Sequence, residues 1–310
     1  MMETTVLGRT GLRVTAAGLG CGGFSRIGID KGVDHAAGIV RAAYDAGVTF
    51  FDTAAVYGTQ PAVGQGLRGI RRDSYTLSTK FLYRIETGRI TPEQMLASLE
   101  QSLRELETDY IDVYHIHGLK AEDYVWARDM LLPAMHHERE KGKIRFIGVT
   151  ELFGSDTGHE MFKKVLPDDL FDVIMVGFNL LNPSAAERVL PMAIRNNTGV
   201  LCMFAVRRAL WDPGQLQTDI ARILAAGQGG EGLNGHSLDF LTSEGIAGTL
   251  TEAAYRFCRH TPGISVTLTG TGSHEHLKEN IKSLEKAPLP GSALQRLQAL
   301  FGHVDCVCGE

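Results

Sequence analysis

The feature that most limits the fold is a regular alternation of short apolar or β-branched runs with longer helical patterns along the chain. Eight of these runs are strand candidates, and a helical pattern follows each one. A strand–helix–strand succession requires parallel pairing, because the helix returns the chain to the same end of the sheet. The predicted strands cover Ala17–Gly22, 49–54, 75–81, 111–118, 144–150, 171–179, 199–206 and 264–270.

Eight strand–helix units over roughly 250 residues match the number and length at which such a sheet closes on itself. The sequence therefore predicts an α/β fold, a single (β/α)8 TIM barrel over residues 1–310, with an open doubly wound sheet as the rival. The predicted helices cover 34–47, a short stretch ending at Gly69, 91–107, 122–141, 155–165, 184–196, 251–259 and 274–285.

Three segments lie outside the eight units. Residues 3–14 predict a two-stranded hairpin that closes the bottom of the barrel. Residues 207–248 form a long excursion after strand seven, with a helical piece near 215–225, and are expected to overhang the mouth or to be disordered. The pair Cys306 and Cys308 predicts a flexible, reduced tail rather than a metal site.

The composition excludes several classes of function. The 310-residue chain has 31 basic and 36 acidic side chains, so its net charge of −5 gives no reason to expect nucleic-acid or membrane binding. No apolar run approaches the roughly 20 residues that span a bilayer, and no secretory signal precedes the first strand. Five cysteines are too few for a disulfide framework, so we expect reduced thiols and a cytoplasmic protein. Its oligomeric state cannot be predicted.

Polar residues follow three consecutive predicted strands, at positions where an apolar strand end has no need of them. Asp52 ends strand two and Tyr57 lies shortly after it, Lys80 ends strand three, and His117 ends strand four. Neighbouring parallel strands lie about 5 Å apart, so these side chains can meet in one cluster at the C-terminal end of the barrel. Each residue alone also has an ordinary structural explanation, whereas the combination predicts a site.

The cluster is suited to proton transfer at a carbonyl or alcohol oxygen. A cation beside a phenol favours the phenolate, so Lys80 is predicted to lower the pKa of Tyr57. Asp52 would hold Lys80 charged and in place. Tyr57 would then give or take the proton, and His117 would orient the same oxygen. The chemistry that fits is carbonyl–alcohol interconversion, which also needs a hydride donor; no metal ligands are predicted.

Several segments together resemble the aldo-keto reductase superfamily, and the resemblance covers almost the whole chain. They are GVTFFDTAAVYG (47–58), LSTK (77–80), ELETDYIDVYHIHG (105–118), GKIRFIGVT (142–150) and GTGSHEHLKENI (270–281). The resemblance implies a (β/α)8 barrel that binds a nicotinamide dinucleotide at the C-terminal ends of the strands and reduces small aldehydes, ketones or aldoses. It also implies that Asp52, Tyr57, Lys80 and His117 form the catalytic tetrad.

The same resemblance implies a set of cofactor contacts. Thr150 and Glu151 stand where a Ser-Asn pair holds the nicotinamide carboxamide, and Met175 replaces a glutamine there. At the other end, Gly270 and His276 occupy positions that usually bind a 2′-phosphate, so NADP is predicted with NAD as an alternative. The full predicted cofactor set is Gly22, Asp52, Thr150, Glu151, Gly270, Thr271, Gly272, His276, Glu279 and Asn280.

Two other functions stay open at this stage. The altered carboxamide positions, Glu151 and Met175, are compatible with a regulatory or sensor barrel that binds a nucleotide with little or no turnover. The same four polar residues could also carry out an elimination or isomerisation without net redox change. We favour an NAD(P)-dependent oxidoreductase of the aldo-keto reductase or aldose dehydrogenase type. The physiological direction and the substrate are not in the sequence.

Overall fold

The computed structural model describes residues 2–310 and contains a closed barrel of eight parallel strands. Each strand pairs with the next along the chain, and the last pairs with the first, so the predicted (β/α)8 TIM barrel is confirmed over the open sheet. The strands are β1 (Ala17–Gly20), β2 (Phe50–Asp52), β3 (Thr76–Leu82), β4 (Ile111–Leu119), β5 (Ile144–Glu151), β6 (Val173–Gly177), β7 (Gly199–Met203) and β8 (Val266–Thr269).

Helices surround the barrel and follow the predicted order. They are α1 (Val33–Asp45), α2 (Gln60–Leu67), α3 (Pro92–Glu105), α4 (Tyr124–Met130), α5 (Leu132–Glu140), α6 (Glu160–Asp168), α7 (Ala185–Arg188), α8 (Leu190–Arg195), α9 (Pro213–Ala225), α10 (Phe240–Ser243), α11 (Leu250–Arg259), α12 (His274–Leu284) and α13 (Gly291–Phe301). Residues 122–141 and 184–196 were each predicted as one continuous helix, and this was wrong. Each segment forms two helices because Pro133 and Pro191, which lack an N–H, stand in the first turn of the second helix.

Two further helix boundaries differ from the prediction. Helix α6 begins at Glu160, later than expected, because the Asp156 carboxylate accepts hydrogen bonds from the N–H groups of Glu160 (2.8 Å) and Met161 (2.9 Å). Helix α13 was not predicted. Its buried side chains, Ala293, Leu297 and Phe301, recur at intervals of four residues, which is a helical signal at the end of the chain.

The predicted hairpin is confirmed at the bottom of the barrel. Strand Thr4–Val6 pairs antiparallel with Arg13–Thr15, and the Arg9 N–H donates to the Asn197 carbonyl at 2.6 Å, just before β7. Leu7 from the hairpin joins the apolar cluster inside the barrel, so the hairpin covers the interior from below. The buried members of that interior cluster are Leu7, Val14, Phe50, Val113, Val173, Met175, Leu201 and Val266.

The excursion after β7 is ordered and has an apolar cluster of its own. Buried side chains of α9, such as Leu216, Ile220 and Ile223, pack with α11, α13 and the segment 302–310. Val304 and Val307 of that segment are buried, so the predicted flexible tail is wrong. Among residues 2–310, no helix is both long and apolar enough to cross a bilayer.

Candidate active site

The four side chains predicted to carry chemistry lie together at the C-terminal end of the barrel. Asp52 ends β2, Lys80 lies on β3, and His117 lies near the end of β4. Tyr57 ends a short 3-10 turn, Ala55–Tyr57, that follows β2. Because β2, β3 and β4 are neighbours in the barrel, the turn brings the tyrosine over the ends of the other two strands.

Asp52 and Lys80 form a buried ion pair. The Lys80 Nζ donates to Asp52 Oδ2 at 2.6 Å and to the Thr53 carbonyl at 2.7 Å, and its side chain is fully buried. The other carboxylate oxygen, Asp52 Oδ1, accepts from the Ser78 hydroxyl at 2.7 Å. Both ends of the pair are thus hydrogen-bonded, as a buried charge pair requires.

The opposite charges of Lys80 and Asp52 partly offset the free-energy cost of removing each from water. Burial lowers the pKa of Lys80, but the neighbouring Asp52 and Tyr57 outweigh this and hold it above its usual value. Burial raises the pKa of Asp52, and Lys80 and Ser78 oppose that rise. Lys80 is therefore a permanent cation beneath Tyr57, with its Nζ 5.2 Å from the centre of the phenol ring.

Tyr57 is held by packing on one side and by a histidine on the other. Its hydroxyl lies 3.3 Å from His117 Nε2, and the two rings meet edge to face at 5.5 Å. On the opposite side the ring lies against the backbone of Gly22, where an added Cβ would come within 2.4 Å of Tyr57 Cε2. Glycine at this position therefore allows the phenol to lie over the strand ends.

Lys80 lowers the pKa of Tyr57 as predicted, but the net shift is upward. Burial raises the pKa of Tyr57 above its usual value of 10.0, and the favourable charge of Lys80 offsets only part of that rise. The negative charge of Asp52 also opposes the phenolate. The main physical reason is the burial of the phenol, and the counter-ion of Lys80, Asp52, further weakens the stabilisation of a phenolate. Tyr57 is therefore a protonated phenol at neutral pH.

His117 is neutral. Burial, assisted by the positive charge of Lys80, lowers the pKa of His117 to about 3. Its Nδ1 is buried and has no hydrogen-bond partner within the described residues, whereas its Nε2 faces the Tyr57 hydroxyl. A neutral imidazole and a protonated phenol thus point toward the same space, and together they can hold one oxygen atom of a ligand.

The sequence analysis did not identify Ser78 as part of this cluster. Its hydroxyl bridges Asp52 Oδ1 and His115 Nε2, the latter at 3.1 Å, and so fixes the carboxylate from below. Ser78 stands two residues before Lys80 on the same strand, so the two side chains share one face of β3. The alternation of side chains along a strand could therefore have identified Ser78 as a neighbour of Lys80.

A cavity of about 880 Å³ extends from this cluster across the mouth of the barrel. Its wall includes Tyr57 at one end and the first turns of α12 at the other. Seven of the predicted cofactor residues line it, namely Gly22, Asp52, Gly270, Thr271, His276, Glu279 and Asn280.

Two predicted contacts, Thr150 and Glu151, are buried and hydrogen-bonded within the barrel wall. The Thr150 hydroxyl accepts from the Gly118 N–H at 2.8 Å, and Glu151 Oε1 accepts from the Gly177 N–H at 2.7 Å. The second Glu151 oxygen contacts His159 Nδ1 at 2.9 Å. These hydrogen bonds fix both side chains within the barrel wall, and their contacts with a carboxamide stay a prediction.

Met175 and Gly272 differ in their position relative to the cavity. Met175 lines the cavity on β6, where its thioether offers little hydrogen bonding. Gly272 was also predicted as a cofactor contact, but it lies outside the cavity wall, and its carbonyl accepts from His35 Nε2 at 2.8 Å.

The far end of the cavity is more basic than the sequence analysis indicated. Lys282 and Lys286 line it together with the predicted Glu279 and Asn280. Glu279 and Lys282 are three residues apart on α12, so helical periodicity could have identified Lys282; Lys286 lies just beyond the end of the helix. Asn280 is fixed by a hydrogen bond from its amide to the Thr269 hydroxyl at 2.9 Å.

The excursion forms the opposite wall of the mouth. Arg207, Arg208 and Trp211 line the cavity, as expected for a segment that leaves from the C-terminal end of a strand. Trp211 and Phe24 are both largely exposed at the rim. This wall of the cavity therefore combines aromatic surfaces with cationic groups.

Comparison with known proteins agrees with this architecture. The model of the Aldo/keto reductase family matches residues 18–301. The L-galactose dehydrogenase of Arabidopsis thaliana is 26% identical and aligns over 98% of this chain and 95% of its own length. The aldo-keto reductase YhdN of Bacillus subtilis is 30% identical over 67% of this chain and 63% of its own.

Solved structures show the same fold. The holo form of the aldo-keto reductase AKR11C1 from Bacillus halodurans superposes with a TM-score of 0.75 at 25% identity, covering 96% of each chain. An aldo/keto reductase from Klebsiella pneumoniae, solved in complex with NADP and acetate, has a TM-score of 0.67 at 24% identity, covering 99% of this chain and 98% of that one.

Proposed function

Since the chain belongs to the aldo/keto reductase family, we propose that it transfers hydride between NADP(H) and a small aldehyde, ketone or aldose. The observation that carries the proposal is the group of four side chains around the Tyr57 hydroxyl, in the wall of a cavity of about 880 Å³. When bound, the nicotinamide cofactor supplies or accepts the hydride.

Tyr57 is the proposed proton donor to the carbonyl oxygen. Its raised pKa keeps the phenol protonated at neutral pH, which favours the acid role and therefore carbonyl reduction. Lys80 stabilises the phenolate that remains after the proton leaves, because its ammonium group lies below the ring. In the opposite direction Tyr57 would take the proton of an alcohol.

Asp52 and His117 have different proposed roles. Asp52 is a positioning residue, because its carboxylate holds the Lys80 ammonium at 2.6 Å. His117 is neutral and reaches the same space as the Tyr57 hydroxyl, so it would orient the carbonyl oxygen by a hydrogen bond from Nε2.

The cavity has the chemistry that a phosphorylated dinucleotide requires. Lys282 and Lys286 line the cavity and would be cationic partners of a 2′-phosphate, although Lys286 also pairs with Glu252 at 2.6 Å; His276 lines the cavity with them. Glu279 and Asn280 lie beside them and would contact the adenosine. Support for NADP over NAD also comes from the Klebsiella relative, which was solved with NADP.

The nicotinamide end must lie near Tyr57, since the carbon that receives hydride adjoins the oxygen that receives the proton. Gly22, Asp52 and Met175 line the cavity there. We propose Gly22, Gly270, Thr271 and Gly272 as backbone contacts of the cofactor, and Thr150 and Glu151 as its contacts at the nicotinamide carboxamide.

The side chains at the mouth of the cavity indicate the proposed class of substrate. The mouth above Tyr57 offers aromatic surfaces from Phe24 and Trp211 and a cation from Arg208. Aromatic faces can cover the apolar side of a sugar or of an aryl aldehyde, and Arg208 can bind its polar groups. The similarity to a plant L-galactose dehydrogenase supports including aldoses in the first substrate panel.

The deciding experiment measures turnover and binding in the same variants. Tyr57→Phe should lower kcat for reduction by about 10²–10⁴-fold, while the Kd for NADPH stays close to that of the wild type. Tyr44→Phe is the matched control, since its hydroxyl contacts Ser74 at 3.0 Å outside the cavity. Full turnover in folded Tyr57→Phe would contradict the proposed role.

A sensor barrel is the second candidate, and the cavity wall is the observation that favours it. The Thr150 hydroxyl and the Glu151 carboxylate already accept hydrogen bonds within the barrel wall, and Met175 offers little hydrogen bonding, so a nicotinamide would be held less firmly. Tight NADPH binding by the wild type without turnover on any aldehyde, ketone or aldose would favour this candidate.

A further inference from the structure

Arg207 is a buried cation in the wall of the cavity. It lies in the excursion four residues after β7, and its side chain is only 10% exposed. Its guanidinium carbon is 4.1 Å from the centre of the Phe204 ring, and both residues line the cavity. Its Nε is buried and has no hydrogen-bond partner among residues 2–310. A buried guanidinium with a free donor is a position where an oxyanion can bind.

The Glu310 carboxylate pairs with Arg207 in the free protein. Glu310 belongs to the segment 302–310, which is tied to the barrel mouth by its backbone. The Cys308 carbonyl accepts from Asn179 Nδ2 at 3.2 Å, and the Val307 carbonyl accepts from Asn182 Nδ2 at 2.9 Å. These hydrogen bonds hold the segment so that the Glu310 carboxylate lies beside the Arg207 guanidinium.

The approach of this segment to Arg207 is close. Gly309 has a φ of +89°, and a Cβ added there would lie 2.9 Å from the Arg207 Cβ. Its carbonyl accepts from the Ala209 N–H at 3.0 Å. The segment thus fits directly against the arginine, and its geometry depends on glycine at 309.

The two partners differ in their contact with water. The Glu310 side chain is 45% exposed, whereas Arg207 is largely buried. A half-exposed carboxylate recovers hydration when it leaves, but the arginine stays in the wall and still needs an anion. Replacing Glu310 by another oxyanion therefore costs little free energy, whereas leaving Arg207 without any anionic partner costs much more.

We propose that Arg207 is an oxyanion-binding position of the cavity and that the Glu310 carboxylate occupies it until an anionic ligand displaces it. The ligand group is a phosphate or a carboxylate. The phosphate would come from the dinucleotide, and the carboxylate from an acidic carbonyl substrate. This assignment concerns binding and does not depend on turnover.

The test is a set of calorimetric titrations of the intact protein with NADPH, inorganic pyrophosphate and succinate. Glu310→Gln should bind at least one probe about two- to fivefold more tightly, which is the range expected for removing a half-exposed ion-pair partner. Arg207→Gln should weaken the same probe, and Arg207→Gln with Glu310→Gln should match Arg207→Gln alone. Tightening for NADPH and pyrophosphate identifies the phosphate source, and tightening for succinate identifies the carboxylate source.

Two controls keep the test decisive. Glu244→Gln removes the partner of Arg296 at the surface, outside the cavity, and should change no affinity. Arg207→Lys keeps the charge if Arg207→Gln does not fold, and should retain part of the affinity. Unchanged or weaker binding of all three probes to Glu310→Gln would overturn the proposal, as would wild-type affinities in folded Arg207→Gln. Failure of the Tyr57→Phe experiment would leave these outcomes unaffected.

Discussion

Replacing Lys80 with methionine tests the electrostatic centre of the site. In the wild type the Lys80 ammonium donates to Asp52 Oδ2 at 2.6 Å, and both side chains are buried. The substitution keeps most of the side-chain volume but leaves the Asp52 carboxylate with Ser78 as its side-chain donor. A buried charge that loses its partner costs about 3–5 kcal/mol of unfolding free energy, a large part of the about 5–15 kcal/mol typical of whole proteins.

The loss should depend on pH in a defined direction. Without Lys80, burial raises the pKa of Asp52 with less opposition, so the folded state holds a proton that the unfolded state has released. The contribution of Asp52 to the stability of the variant is then greatest below the unfolded pKa of about 3.9, and it falls as pH rises toward the folded pKa, by up to about 1.4 kcal/mol per pH unit. In the wild type Lys80 opposes this shift, so the slope is smaller.

Urea denaturation followed by circular dichroism at pH 5 and pH 7 measures both effects. Lys80→Met should lose more stability at pH 7 than at pH 5, while Asp52→Asn combined with Lys80→Met should recover at least about 2 kcal/mol and lose the pH slope. Lys278→Met, at an exposed helix position, is the control and should cost little. The reasoning is refuted if Lys80→Met costs less than about 1 kcal/mol at pH 7, or if the double variant is no more stable than the single one.

Three further outcomes are expected. Reduction should be flat from about pH 5 to 9, because the pKa of His117 is about 3 and that of Tyr57 is raised; a break near pH 7 would contradict this. Gly22→Ala should lower kcat at least about tenfold by displacing the Tyr57 ring, whereas Gly154→Ala, which meets open space, should not. In titrations, Lys282→Gln should weaken NADPH about three- to tenfold and leave NADH unchanged; equal effects would exclude a 2′-phosphate contact.

The barrel could be predicted from the sequence because each unit contains its own signal. Strand runs and helical patterns repeat eight times, and parallel pairing follows from their alternation. The errors came from local chemistry that overrides periodicity. Pro133 and Pro191 divide two long helical patterns, and the Asp156 carboxylate shifts the beginning of α6.

The site was predicted in its members but not in its energetics. Strand order alone brings Asp52, Lys80 and His117 together, so the cluster needed no knowledge of side-chain contacts. The pKa of Tyr57 depends on how completely the phenol is buried and on the counter-ion of Lys80, and neither quantity is written in residue order. The same holds for Glu151, whose partners, Gly177 and His159, come from other parts of the barrel.

The separate apolar cluster of the excursion has a consequence for the motions of the protein. Leu216, Ile223, Leu297 and Val307 pack with one another, apart from the clusters that hold the barrel strands. Such a unit can open with its own, smaller free energy, so its amides should exchange with deuterium before those of β2–β4. Opening of this unit would widen the mouth of the cavity while β2–β4 and the side chains at their ends stay folded.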